Sequence, residues 1–332
     1  MQQKTYHFPL DGRGKISPVD LWNRTPVTEF ILVGFPGAPE LQICLSVVFS
    51  IIYIITLMGN LLMIIIITSD YRLHTPMYFF LVSLSFLEIC FISVYIPKLL
   101  VIFTSQKKSI SFANCFIQGY FYYLLAGTDL SLLTTMSVDR YVAVCRPLRY
   151  ATIMSFKVCV QMLVGCWLSG FLLLLVPTIL LARSPFCGPN VVNHFFCDSS
   201  EVIRLACGDK HVIQLFILFV CTTYLIGSVL VIAMSYIYIL STIFRMSSAT
   251  GRRKTLSTCT SHISMVSITF GTSIFLQVRA RDHNSKDTDK VIRLVASVLP
   301  PLLNPFIYSL RNQKVKEAVK DAVRRNTLLS KI

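Results

Sequence analysis

Two acids stand alone in strongly apolar stretches of this 332-residue chain, Glu88 in LSFLEICF and Asp129 in AGTDLSLL. A carboxylate removed from water holds its charge only beside a cation. Two such groups brought together cannot both ionise unless a cation sits between them or one keeps its proton. Glu88 lies 11 residues after position 77, and Asp129 lies 10 before Asp139 in a stretch running the other way, so the two are expected at one depth. The chemistry available is a sodium-like or proton-shared site; the alternative is two protonated acids hydrogen-bonded to Asn60 and nearby hydroxyls. A second constellation is Asp139-Arg140-Tyr141 in MSVDRYVAVCRPLRY, where an uncharged run meets a basic loop. An arginine at a bilayer centre costs roughly 2.5–3.5 kcal/mol on the insertion scale, so it belongs at an end or against a partner. Neighbours i and i+1 do not share a helix face, so Arg140 must fold back to meet Asp139. Such a contact breaks readily and suits a switch; solvated charges at a helix end are the other reading.

The elements that must position these groups are membrane helices. With 54% hydrophobic and 14% charged residues, the chain is too apolar for soluble domains. Spans of roughly 20 apolar residues are read at about 42–68, 77–103, 113–138, 158–182, 211–243, 256–278 and 290–310, the last being weakest because of Arg293, Pro300, Pro301, Asn304 and Pro305. The fold expected is an all-α membrane protein, a seven-helix bundle over 41–310, with a tail at 1–40 and a short amphipathic helix and tail at 311–332. The opening segment has no signal-peptide core, so the first span acts as its own insertion signal.

The net charge of +15 comes from Lys and Arg in short loops, which favours interface anchoring over nucleic acid. These cations divide 16 to 15 between the two sides, so charge alone does not orient the chain. The sequon Asn23-Arg24-Thr25 and the cysteines orient it with the N-terminus outside. Cys115, Cys187, Cys197 and Cys207 then fall where disulfides persist. Four cysteines allow three pairings; His194 with Cys197 and Asp198 could also suggest a metal, though an oxidising compartment favours disulfides.

Other residues have structural expectations. Asn60, after Gly59, needs an interhelical partner and is read as tying helices one, two and seven together. Trp167 reads as a packing anchor, and His262 as the one histidine inside a span. The loop RMSSATGRRKTLSTCTSH looks like a partner-docking surface. Arg281 or Arg293 could meet an anionic ligand head group. Pro300, Pro301 and Pro305 free the carbonyls of Ala296, Ser297 and Pro301 and permit bending.

Taken together, GN in the first span, LHTPMYFFLVSLSFLE, MSVDRYVAVCRPLRY, SYIYIL, RRKTLSTCTSH and PPLLNPFIYSLRN resemble the odorant (olfactory) receptors of the rhodopsin-like G-protein-coupled class, from about Thr28 to Arg325. The resemblance implies an odorant-gated plasma-membrane receptor that is not an enzyme. It would couple to the stimulatory olfactory G protein, raise cyclic AMP and depend on trafficking chaperones. It makes Asp139, Arg140 and Tyr141 the G-protein switch, with Tyr236, Asn304, Pro305 and Tyr308 completing it. It places Glu88, Asp129 and Asn304 at a cation site, pairs Cys115 with Cys197, and pairs Cys187 with Cys207. The implied pocket walls are Tyr122, Tyr123, Ala126 and Gly127, then Val220, Cys221 and Tyr224, then Phe270, Ser273, Ile274 and Gln277. Their mix suits a small, mostly apolar volatile ligand. The chain departs from the pattern at Ser137-Val138, at Phe270 where tyrosine is usual, at Arg293, and in its longer N-terminal tail. An ion-coupled transporter is the rival class, but the halves 42–182 and 211–310 share no repeat.

Overall fold

The computed structural model describes residues 27–35, 37–105, 108–187, 189–207, 210–279, 286–311 and 314–321. Among the described residues seven long helices form a bundle: α1 (Pro39–Ser69), α2 (Pro76–Thr104), α3 (Phe112–Cys145), α4 (Phe156–Ala182), α5 (His211–Arg245), α6 (Ala249–Arg279) and α7 (Lys286–Arg311). Residues 314–321 form a further short helix, α8. The sequence signals at the helix starts are used. Pro76 occupies the first turn of α2, where its missing N–H costs nothing, and Ser111 caps α3 by accepting from the Asn114 amide at 3.3 Å.

Among the described residues six helices are long and apolar enough to cross a membrane, and α7 is one of them. The helix that falls short is α3, not the expected α7. The reason is position: α3 packs against α2, α4, α5 and α6, so its polar residues meet other helices rather than lipid. Leu132, Ser137 and Thr128 are fully buried on it. By contrast α1 and α5 present rows of exposed apolar residues, as a lipid-facing helix must.

Asn60 is fully buried and donates to the carbonyl of Thr56 and, across the bundle, to that of Pro301, both at 3.0 Å. Pro305 is the residue whose missing N–H frees that Pro301 carbonyl. A defect in α7 is thus answered from α1. Gly59 allows the approach, because a Cβ there would stand 3.2 Å from the Pro305 ring. No bond from Asn60 to α2 is found among the described residues, so the expected three-helix tie joins two.

The segment before α1 is not all irregular tail. β1 (Glu29–Leu32) lies between β2 (Ser109–Ser111), antiparallel to it, and β3 (Val191–Val192), parallel to it, with Phe30 facing Ile110 and Leu32 facing Val192. Alternation explains the strand: Phe30 and Leu32 are fully buried while Glu29 and Ile31 are exposed. Just beyond it Gly34 adopts φ +66°, and a Cβ there would meet Ile102 at 2.7 Å. The sheet covers one end of the bundle. At the opposite end α8 buries Val315 and Ala318 against the helices, and Arg72 bridges Asp70 and Asp321 at 2.6 and 2.8 Å.

Candidate functional site

A cavity of ≈ 580 Å³ opens within the bundle beneath the sheet end, within the range of small-molecule sites. Tyr122, Tyr123, Ala126, Gly127, Val220, Cys221, Tyr224, Ser273 and Gln277 all line it, as the sequence reading placed them. Two expected wall residues do not. Ile274 is 42% exposed on the outer face of α6, and Phe270 is buried in the helix core. Helical geometry explains both: Thr269, Thr272, Ser273, Leu276 and Gln277 share the cavity face, and positions 270 and 274 fall beside it.

Sequence reasoning also missed three walls. Gly170, Leu173 and Pro177 of α4 contribute one; Leu87, Glu88 and Phe91 of α2 another; Ser199, Ser200, Val202 and Ile203 of the loop a third. The loop signal was present in Asp198-Ser199-Ser200, a helix cap: Asp198 accepts from the Ser200 amide at 2.8 Å and opens the short helix Ser199–Leu205. Disulfides Cys115–Cys197 and Cys187–Cys207, with Cα separations of 5.3 and 5.7 Å, hold this loop against α3 and close it on itself.

Arg293 turns inward and is the single cation among the described lining residues. Its Nε lies 3.0 Å from Asp198 Oδ2. The other oxygen, Oδ1, accepts from Tyr123 at 3.0 Å and from the Ser200 amide and hydroxyl at 2.8 Å each. Burial by itself would raise the Asp198 carboxyl, but Arg293, then His194 and Ser200, hold it well below the usual carboxylate range. His194 has Nε2 3.7 Å from Asp198; burial, reinforced by Arg293 and Lys290 and opposed by Asp198, pushes it down to about 3, so the ring is neutral. One turn from Arg293, Lys290 donates to Asn193 at 2.8 Å and to the Gly34 carbonyl at 3.3 Å. The start of α7 thus holds the loop and the strand segment over the cavity.

At the cavity floor lie Glu88 and Asp129. Both Glu88 oxygens, Asp129 Oδ1, Asn60 Oδ1, Asn304 Oδ1 and the Tyr308 hydroxyl have no hydrogen-bond partner among the described residues. Orphaned acceptors so deeply buried are costly unless a proton or cation meets them. The carboxylate oxygens of Glu88 and Asp129 are of the kind a hard cation takes.

Towards the far end, Arg140 folds back onto Asp139 through Nε at 3.0 Å and Nη2. Asp139 is 1% exposed, and its second oxygen accepts from Tyr150 at 2.7 Å. Tyr150 closes the same motif and was not assigned this role. Tyr141 packs its ring 5.8 Å from that of Tyr238. Tyr236 and Tyr308 share the core cluster, but they are not bonded to each other. The Tyr236 hydroxyl is 2.6 Å from His262 Nδ1, and His262 Nε2 is 3.1 Å from the Leu133 carbonyl. A carbonyl only accepts, so Nε2 carries the proton and Tyr236 donates to Nδ1. His262 therefore links α3, α5 and α6, a role its lone position in the sequence did not reveal. Asn23 and Arg281 lie outside the described residues.

A family model described as olfactory receptor matches residues 49–326. The chain belongs to the olfactory receptor family. Human Olfactory receptor 6T1 is 46% identical over 301 residues, covering 91% of this chain and 93% of that one. Mouse Olfactory receptor 6E1 is 45% identical over 302 residues, covering 91% and 96%. The crystal structure of squid rhodopsin superimposes with a TM-score of 0.70 over 87% of each chain at 18% identity, a likeness of fold. This olfactory receptor is an odorant receptor of the G-protein-coupled class, a multi-pass plasma-membrane protein and not an enzyme. Its helix cavity and its Asp139–Arg140 pair lie at opposite ends of one bundle.

Proposed function

We propose that a small, mostly apolar volatile ligand enters the cavity and biases the bundle towards a state that activates the stimulatory olfactory G protein and raises cyclic AMP. The observation that carries this reading is a cavity of drug-like size, lined by α3, α5, α6 and α7, in the same bundle as an arginine held by a breakable contact to Asp139. A ligand shifts such an equilibrium only by its differential affinity for the two states. Release of Arg140 from Asp139 and Tyr150 would present it to a partner helix in a groove. The N-terminus is placed outside and the Arg140 end in the cytosol. Asp139, Arg140, Tyr141, Tyr236, Asn304, Pro305 and Tyr308 form the switch, and Glu88, Asp129 and Asn304 would hold a sodium ion that neutralises the floor. Trafficking chaperones bring the chain to the surface.

The experiment is cyclic AMP measured in cells carrying the receptor, a trafficking chaperone and the olfactory G protein, beside Arg140→Ala matched for surface display. A response to an odorant panel that the variant loses supports the reading. An odorant response of equal size in Arg140→Ala would sink the assigned switch.

A further inference from the structure

Arg293 is spoken for before any ligand arrives, and its partner is fixed. Asp198 follows Cys197, which is bonded to Cys115 on α3, and its Oδ1 is held by Tyr123 and by two donors from Ser200. The carboxylate cannot swing away to release Arg293. It is also 1% exposed, so displacement would strand a charge without solvent. The Arg293 contact to Asp198 runs through Nε, which leaves the guanidinium's terminal N–H groups as donors at the cavity wall.

Five lining hydroxyls, those of Tyr122, Tyr123, Tyr224, Ser273 and Ser297, already have their protons committed. Ser297 donates to the Arg293 carbonyl at 2.7 Å, so Tyr122, 2.6 Å from Ser297, must be the donor of that pair. Tyr123 donates to Asp198, Tyr224 to the Gly127 carbonyl at 2.9 Å, and Ser273 to the Thr269 carbonyl at 2.7 Å. With these protons committed, the charged donor available to a ligand head group is Arg293.

We infer that Asp198 acts as a charge filter on Arg293, so that the cavity takes small ligands with a neutral hydrogen-bond acceptor, such as aldehydes and ketones, and rejects the matching carboxylates. The inference rests on the odorant-receptor reading. A neutral carbonyl accepts from the terminal N–H groups and leaves Asp198 paired. A carboxylate at the same place sets a second negative charge beside one that cannot move.

The test uses straight-chain aldehydes of six to ten carbons with their carboxylic acids and primary amines, read by cyclic AMP in cells displaying wild type, Asp198→Asn, and Asp198→Asn/Arg293→Gln. Surface display is measured by a tag. Asparagine keeps the helix cap and the Tyr123 bond while removing the charge. In wild type the aldehydes should exceed their acids by at least about thirtyfold in potency, and Asp198→Asn should narrow that ratio by about tenfold or more. The double variant should lose the preference in either direction. Acids equal to aldehydes in wild type, or a ratio unmoved by Asp198→Asn, overturn the filter. Amines as the strongest series would place the head group at Glu88 and Asp129 and also overturn it. Silence of a displayed receptor towards every series overturns the ligand class. In that case basal cyclic AMP that Arg140→Ala abolishes shows the receptor reading intact, and its absence counts against that reading instead.

Discussion

Removing Arg293 gives a stability change whose size and pH dependence both follow from the loop geometry. Arg293→Ala leaves Asp198 at 1% exposure without its cation. Breaking a buried pair from one side costs about 3–5 kcal/mol. Three donors still hold Oδ1, so the low end applies, about 3 kcal/mol or roughly a hundredfold in the folding equilibrium. The pH dependence adds a second constraint. In the wild type Asp198 lies below its ordinary range, so its contribution is present above the unfolded value and is lost only in strong acid. His194 is held neutral, its value lowered from 6.5 to about 3, so the wild type loses stability as pH falls below 6.5. In Arg293→Ala, burial acts on Asp198 without its main opponent and raises the carboxyl. The His194 ring is relieved of one repelling cation. Both changes favour the protonated fold. The deficit of the variant should therefore shrink between pH 7 and pH 5. The assay is thermal unfolding of purified receptor followed by dye labelling of the buried thiols Cys159, Cys166 and Cys259. A deficit that is constant or grows towards pH 5, or an effect additive with that of Asp198→Asn, would refute the pairing argument.

Three further outcomes are expected. Asn60→Leu strips the Pro301 carbonyl of its donor and should destabilise the receptor by about 1–3 kcal/mol; unchanged unfolding would mean that α1 does not brace the α7 proline break. Ala126→Trp should fill the cavity and abolish odorant responses, whereas Ile274→Trp, on the exposed face of α6, should leave potency within about threefold; equal losses at matched surface display would contradict the wall assignment. If a cation meets the orphaned floor oxygens, replacing potassium by sodium should raise the unfolding temperature of wild type, and Glu88→Gln/Asp129→Asn should remove the difference. A sodium effect retained in that variant would place the ion elsewhere.

The sequence by itself determined the architecture. Hydropathy laid out the spans. The run Asp139-Arg140-Tyr141 at the end of an uncharged stretch marked the switch end, because a charge in lipid must find an end or a partner nearby. Pro305 foretold a free Pro301 carbonyl, because that follows from covalent structure alone. Tertiary structure decided the rest, since it concerns contacts between groups far apart in the chain. It chose the partner of that carbonyl, 241 positions away, and turned Phe270 and Ile274 off the cavity face. Residues 29–32 became a strand only because 109–111 and 191–192 offered edges. Arg293 is the plainest case. In sequence it is a cation inside the seventh span, free to face the pocket and an anionic ligand or to snorkel outward. Only the loop folded over the cavity brings Asp198 to 3.0 Å from it and converts a free charge into a paired one.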